Sequence, residues 1–131
     1  MAEAHLQIAI VDDDLSVLKA LTRLLRTRSL HAKTYRSGRE FLTALPGDLP
    51  ECLILDLQMP EMNGLELLQH LMHRGIQIPT IIITAHGDFR IRERCESAGA
   101  IAFLLKPVQD TSLFAAIDAA SKIVRDGSHR P

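Results

Sequence analysis

Leu6-Gln7-Ile8-Ala9-Ile10-Val11-Asp12-Asp13-Asp14 is the stretch on which the fold turns. Apolar but for Gln7 as far as Val11, it halts at three consecutive acids, as a buried strand does when it leaves a sheet for a loop. Beyond the acids the period changes. Val17, Leu18, Leu21, Leu24 and Leu25 recur at helical spacing with Lys19, Arg23 and Arg26 between them, which describes an amphipathic helix capped at Asp14 or Ser16. Strand, acidic loop and helix form one unit, and the rest of the chain repeats it.

His31 to Tyr35 reads as a short strand, and Ser37-Gly38-Arg39-Glu40 has capping-box spacing ahead of Phe41 and Leu42, so a short helix follows. After Pro46-Gly47 and Pro50 comes Cys52 to Leu55, fully apolar and again stopped by an acid, Asp56. Asn63-Gly64 opens a third helix with Leu65, Leu68, Leu71 and Met72 on one face. The β-branched run Thr80 to Thr84 is a strand, with a Gly87-Asp88 loop and a polar helix ending at Gly99 behind it. Ile101 to Leu105 is the fifth strand, Pro107 bars its continuation, and Asp110 or Thr111 caps a last helix through Leu113, Ile117, Ala120 and Val124. Five strands alternating with five helices call for an α/β fold, a parallel sheet covered on both faces, because parallel neighbours need crossover connections.

The bulk numbers narrow the function. With 131 residues there is room for one domain and one core. Fifteen Lys and Arg against sixteen Asp and Glu give a net charge of −1, so no overall field draws nucleic acid or an anionic membrane, and direct nucleic-acid binding is not expected. Cys52 and Cys95 are the only cysteines, and Cys52 lies in an apolar run that suits a reduced, core-packed thiol. Apolar runs fall far short of the roughly 18 residues that span a bilayer, and the expected location is the cytosol. The polar end, Asp126 to Pro131, reads as a tail or the start of a linker after a domain over 1–125.

In open α/β sheets, ligands bind beyond the carboxyl ends of the strands. Here those ends offer Asp12 and Asp13, Asp56, Thr84 and Lys106. Two carboxylates ~4 Å apart repel by ~4 kcal/mol at an effective dielectric of ~20, so three together need a compensating cation. Oxygen donors without paired His or Cys favour a hard ion, and Mg²⁺, which keeps waters that a phosphate oxygen can replace, suits the set. No Gly-rich nucleotide loop is present. An Asp carboxylate can itself be the nucleophile of phosphoryl transfer, with ammonium and hydroxyl groups sharing the charge.

The acids in Ile10-Val11-Asp12-Asp13-Asp14, the stretch Asp56-Leu57-Gln58-Met59-Pro60-Glu61-Met62-Asn63-Gly64, the run Ile83-Thr84-Ala85-His86-Gly87-Asp88, and Ala98-Gly99-Ala100 through Phe103 to Lys106-Pro107 together resemble response-regulator receiver domains. These belong to the CheY-like superfamily of two-component signalling, and the wording is nearest the FixJ-like subgroup. The resemblance runs from about Leu6 to Val124. It implies a doubly wound, flavodoxin-like sheet of order 2-1-3-4-5. It also implies that Asp56 takes a phosphoryl group from a sensor histidine kinase, and that Asp13, Asp56 and the Gln58 backbone carbonyl hold Mg²⁺ with help from Asp12. Lys106, after which the peptide to Pro107 would be cis, would pair with the phosphoryl. Thr84 would move to bond it, and Phe103 would swing inward, changing a surface of the fourth helix, fifth strand and fifth helix through which two copies could pair. The protein would then be a switch rather than a turnover enzyme, controlling transcription through an effector outside these residues.

Other readings stand beside these. Asp12 and Asp13 could be a capping run, Lys106 a solvated cation, and Phe103 plain core. His70 and His73, at i, i+3, lack further ligands for zinc and read as a solvated pair. His86, near the pocket rim, could tune hydrolysis of the phosphoryl or simply face solvent. Val108 stands where the family often has Phe, and Arg90 and Arg92 occupy an often apolar helix start. A haloacid-dehalogenase-type phosphatase would want a second Asp where Gln58 stands, and a phosphorylation-independent interaction module would bind its partner equally well with Asp56→Asn.

Overall fold

The structure, a computed structural model, describes residues 6–126. Strands β1 (Ile8–Val11), β2 (Ala32–Tyr35), β3 (Cys52–Asp56), β4 (Thr80–Thr84) and β5 (Ala100–Leu105) alternate with helices α1 (Leu15–Arg26), α2 (Gly38–Ala44), α3 (Gly64–His73), α4 (Phe89–Ser97) and α5 (Asp110–Asp126). All neighbouring strands are parallel, in the order β2-β1-β3-β4-β5. The sheet and its order are those expected. Most ends move by one or two residues: β1 starts at Ile8 rather than Leu6, β2 at Ala32, β5 at Ala100, and Asp56 is the last residue of β3. A single 3-10 turn at Leu45–Gly47, not foreseen from Pro46-Gly47, extends α2.

Alternation along the central strands divides the core in two. Val11, Leu53, Leu55 and Ile82 face α2, α3 and α4 through Phe41, Leu67, Leu71 and Cys95. Ile8, Ile10, Ile54, Ile81 and Ile83 face α1 and α5 through Leu18, Leu25, Leu113 and Ile117. This segregation follows from handedness. The step from β1 to β2 runs one way across the sheet and every later step runs the other, so right-handed crossovers put α1 on the face opposite α2, α3 and α4. Only β1, β3 and β4 are buried along their whole length; β2 and β5 are edges and are partly exposed. Cys52 and Cys95 are buried on opposite faces of the sheet, so they are not placed to pair, and burial pushes the Cys52 thiol up to about 12.

The caps explain where the helices start. Asp14, not Ser16, is the N-cap of α1 and accepts from the Ser16 backbone N–H; Ser37 caps α2 by accepting from Glu40 N–H. Asn63 and Glu66 form a reciprocal capping box on α3. The apolar face of α3 differs from expectation in one position. Met72 is 51% exposed, and Leu67, left out of that face by its spacing, is fully buried. Truncating Leu67 to Ala should therefore cost about 2–5 kcal/mol in urea unfolding, against less than about 1 kcal/mol for Met72→Ala. Equal costs would mean that the face is misassigned.

Candidate functional site

Reversal of the crossover direction between β1 and β3 opens a crevice at their carboxyl ends, and the acids sit there. One oxygen each from Asp12, Asp13 and Asp56 lies within 4.8 Å of the others. Asp12 is fully buried and Asp56 is 3% exposed, while Asp13 faces solvent. The Asp12 backbone N–H bonds Tyr35 O at 3.1 Å, and its Oδ1 accepts from Asp14 N–H at 2.9 Å. That leaves Oδ2 for Lys106.

Lys106 Nζ lies 3.0 Å from Asp12 Oδ2 and 3.1 Å from Asp56 Oδ1, and its backbone N–H bonds Thr84 O at 2.8 Å. The Lys106–Pro107 peptide is cis. Burial pulls the ammonium pKa down, but hydrogen bonds to Asp12 and Asp56 outweigh it and raise the value above that of a free lysine. Burial, then the charges of Asp12 and Asp13, push Asp56 up to about 6 against the pull of Lys106. One ammonium among three carboxylates leaves a net negative centre. The donors present, carboxylate oxygens with an open side at Asp13, fit a hard divalent ion.

Gln58 is the second residue of the loop after Asp56. That loop is anchored by Leu57 N–H to Ile83 O at 3.0 Å and by Gly64 N–H to Leu57 O at 2.8 Å. Sequence reasoning assigned Gly64 only to the helix start. A Cβ there would stand 2.5 Å from Asp56 O and 3.0 Å from Leu57 Cα, so the glycine lets the helix close against the strand that carries Asp56.

Thr84 and Phe103 are near the acids without joining them. The buried Thr84 hydroxyl donates to His86 O at 2.8 Å and accepts from His86 N–H at 3.2 Å, which ties it to the β4–α4 loop. Phe103 is half-buried, and a Cβ on Gly87 would come within 2.7 Å of its Cε1, so the ring lies against that loop. Phe103 pairs with Ile82 and Leu105 with Thr84 in the sheet, which places Phe103 one step along the same face from Thr84. The exposed His86 and Gln58 line an open groove of about 1050 Å³ between α3 and α4 that includes none of the three acids.

The remaining sites of interest have ordinary partners. His73 Nδ1 is 2.8 Å from Gln69 O and His70 Nε2 is 3.4 Å from Arg74 Nη1. Arg92 pairs with Glu96 one turn on, and Val108 packs on the α1 and α5 side of the core. Among the described residues no helix is long and apolar enough to cross a membrane.

A family model described as the response regulator receiver domain matches residues 8–118. The response regulator protein TmoT of Ectopseudomonas mendocina is 43% identical over 116 residues, which are 88% of this chain and 53% of TmoT. The response regulator protein TodT of Pseudomonas putida is 40% identical over 94% of this chain and 54% of its own length. The chain thus spans about half the length of these relatives. The crystal structure of FixJ-N, 37% identical, superposes with a TM-score of 0.83 over 92% of this chain and 96% of that one.

Proposed function

The chain belongs to the response regulator receiver domain family, and from that premise we propose that it is a phosphoacceptor switch in which Asp56 receives a phosphoryl group from a phosphohistidine of a sensor histidine kinase. The observation that supports this is the convergence of Asp12, Asp13 and Asp56 around the Lys106 ammonium at the sheet's switch point. A carboxylate oxygen of Asp56 attacks phosphorus, the bond from phosphorus to the donor imidazole nitrogen breaks, and its electron pair leaves with the imidazole. Water later hydrolyses the acyl phosphate, returning the carboxylate and releasing inorganic phosphate.

Asp12, Asp13, Asp56 and the Gln58 carbonyl would hold Mg²⁺, which when bound offsets the charge on the phosphoryl oxygens. Lys106 would exchange its bond to Asp56 for one to the phosphoryl. Thr84 would release His86 O and donate to a phosphoryl oxygen, and Phe103 would leave the loop for the space given up by Thr84. The phosphoryl adds about −1.5 to −2 charges, enough to bias such a two-position element. The changed surface of α4, β5 and α5 would pair two copies and govern an effector that controls transcription, all in the cytoplasm. On this reading the domain spans 1–125 and a tail or linker follows over 126–131; Asp126 is the last residue of α5, and residues 1–5 and 127–131 lie outside those described. The domain acts as a switch, without turnover of a free substrate.

Incubation with Mg²⁺ and acetyl phosphate should add one phosphoryl mass to the intact chain, and none to Asp56→Asn, by mass spectrometry. Wild-type protein that never gains the mass, or an Asn variant that gains it equally, would refute the assignment.

A further inference from the structure

The pole of the sheet opposite the acids holds a pocket that the chemistry at Asp56 does not use. Gly75 to Pro79 lead into β4, and Ala98 and Gly99 into β5, so the pocket lies where these strands begin. From Thr80 to Thr84 is about 13 Å of strand, which separates it from the level of the carboxylate site. Leu71 and Met72 of α3 form one wall and Ile123, in the last turn of α5, another. The volume is about 380 Å³, within the span of small-molecule sites. Gly75 and Gly99 have φ of 71° and 111°, and a Cβ on either would meet nothing within 4 Å, so the two turns leave the rim open.

The lining defines the occupant. Among the described residues none of those that form it is Asp, Glu, Lys, Arg or His, and Gln77 and Ser97 bring its only polar side chains. The groove beside Gln58 and His86, by contrast, carries Glu66, Asp88 and Arg94. An ionised ligand would leave water for a lining that cannot pair with it, so a neutral one is favoured. Helices α3 and α4 both end at the pocket, with caps at Arg74 and Ala98. The last carbonyls of a helix carry partial negative charge, so the polar group of the ligand should be a donor. A protein surface is too large to be the occupant. Met72 and Ile101 are the most exposed apolar side chains of the lining, at 51% and 36%, and two such side chains supply only a small part of the about 800 Å² per partner that a stable interface needs.

We propose that this pocket binds a neutral small molecule with an apolar body and one N–H or O–H donor. A pocket with so few polar groups holds water weakly, and an apolar body gains by displacing it. The donor meets the carbonyl ends of α3 and α4. Cys95 is the only buried residue of α4, so an occupant packed against Ser97 and Ala98 adds to the few contacts that fix the end of that helix. Binding steadies α4 from the side away from the acids.

N-phenylnaphthylamine, neutral with one N–H, and its anionic relative anilinonaphthalenesulfonate would each be titrated against the chain near neutral pH and followed by fluorescence. The neutral probe should bind saturably, and the sulfonate roughly tenfold or more weakly. The largest amide NMR shifts in the wild-type chain should fall at Gly75, Gln77 and Gly99, a reading that decides the matter even where a variant fails to fold. Met72→Glu and Ile101→Glu should each weaken the neutral probe by roughly tenfold or more, with circular dichroism showing them folded. Phe89→Ser, at an exposed apolar position elsewhere on α4, should leave its affinity unchanged. No saturable binding, equal affinity for the two probes, amide shifts centred elsewhere, or a loss in Phe89→Ser as large as in Ile101→Glu would overturn the proposal. So would self-association of the wild-type chain that Met72→Glu abolishes, which would assign the face to a second copy. These readings do not depend on whether Asp56 accepts a phosphoryl group.

Discussion

Freed of divalent ions near pH ~7.5, Asp56→Asn is expected to unfold at a higher denaturant concentration than the wild-type chain, by an increment worth about 1–3 kcal/mol. The native pKa of Asp56 stands near 6, above the 3.8 of an unperturbed carboxyl, because the group is buried and faces Asp12 and Asp13. For a carboxyl raised on folding, the stabilisation is complete below the unfolded pKa and is lost as pH climbs through the folded one. Two units correspond to about 3 kcal/mol at most, and the Asn variant forfeits part of the gain by leaving Lys106 with one carboxylate partner fewer. The difference between the two proteins should therefore be largest above pH ~7 and nearly vanish by pH ~4. Saturating Mg²⁺ should stabilise the wild type more than the variant and close much of the gap. A gap independent of pH, or a variant less stable than wild type at neutral pH, would show that the three carboxylates do not strain the metal-free fold.

How far such a site can be read from sequence depends on which property of a residue matters. Asp12, Asp56 and Lys106 were legible because each stands where an apolar run stops, and a parallel sheet brings such ends together. β1, β3 and β4 declared themselves by continuous apolar runs, whereas β2 and β5, as edges, mix apolar and polar residues, and β5 also carries a register shift opposite Thr80 and Ile81. Leu67 and Met72 exchanged places because a short helix inside a three-layer fold buries a face wider than a four-residue spacing describes. The hydrogen bond from Thr84 to His86 O and the fit of the Phe103 ring against Gly87 had no signal in the residue pattern, since both depend on the path of a loop.

Gly64 is the sharpest case of a residue whose role lies in what it lacks, and Gly64→Ala should lower the stability of the chain by about 1–3 kcal/mol. Helix propensity alone predicts the opposite sign, because alanine in place of glycine at a helical position is favourable by about 1 kcal/mol. The two effects differ in where the methyl goes. At Gly64 it would enter to 2.5 Å from Asp56 O and 3.0 Å from Leu57 Cα, and both are backbone atoms held in place. Asp56 is paired with Ile83 in the sheet, and Leu57 N–H is bonded to Ile83 O. Strand and loop cannot yield without loosening the Leu57 O to Gly64 N–H bond or the β3–β4 ladder, so the helix start must lift away from the carboxylates. Because that displacement acts on the loop carrying Gln58 and on the strand end carrying Asp56, Mg²⁺-dependent stabilisation should shrink along with the urea midpoint. An alanine variant with raised stability and an undiminished response to Mg²⁺ would mean that this close approach is not what holds Asp56 and its loop in position.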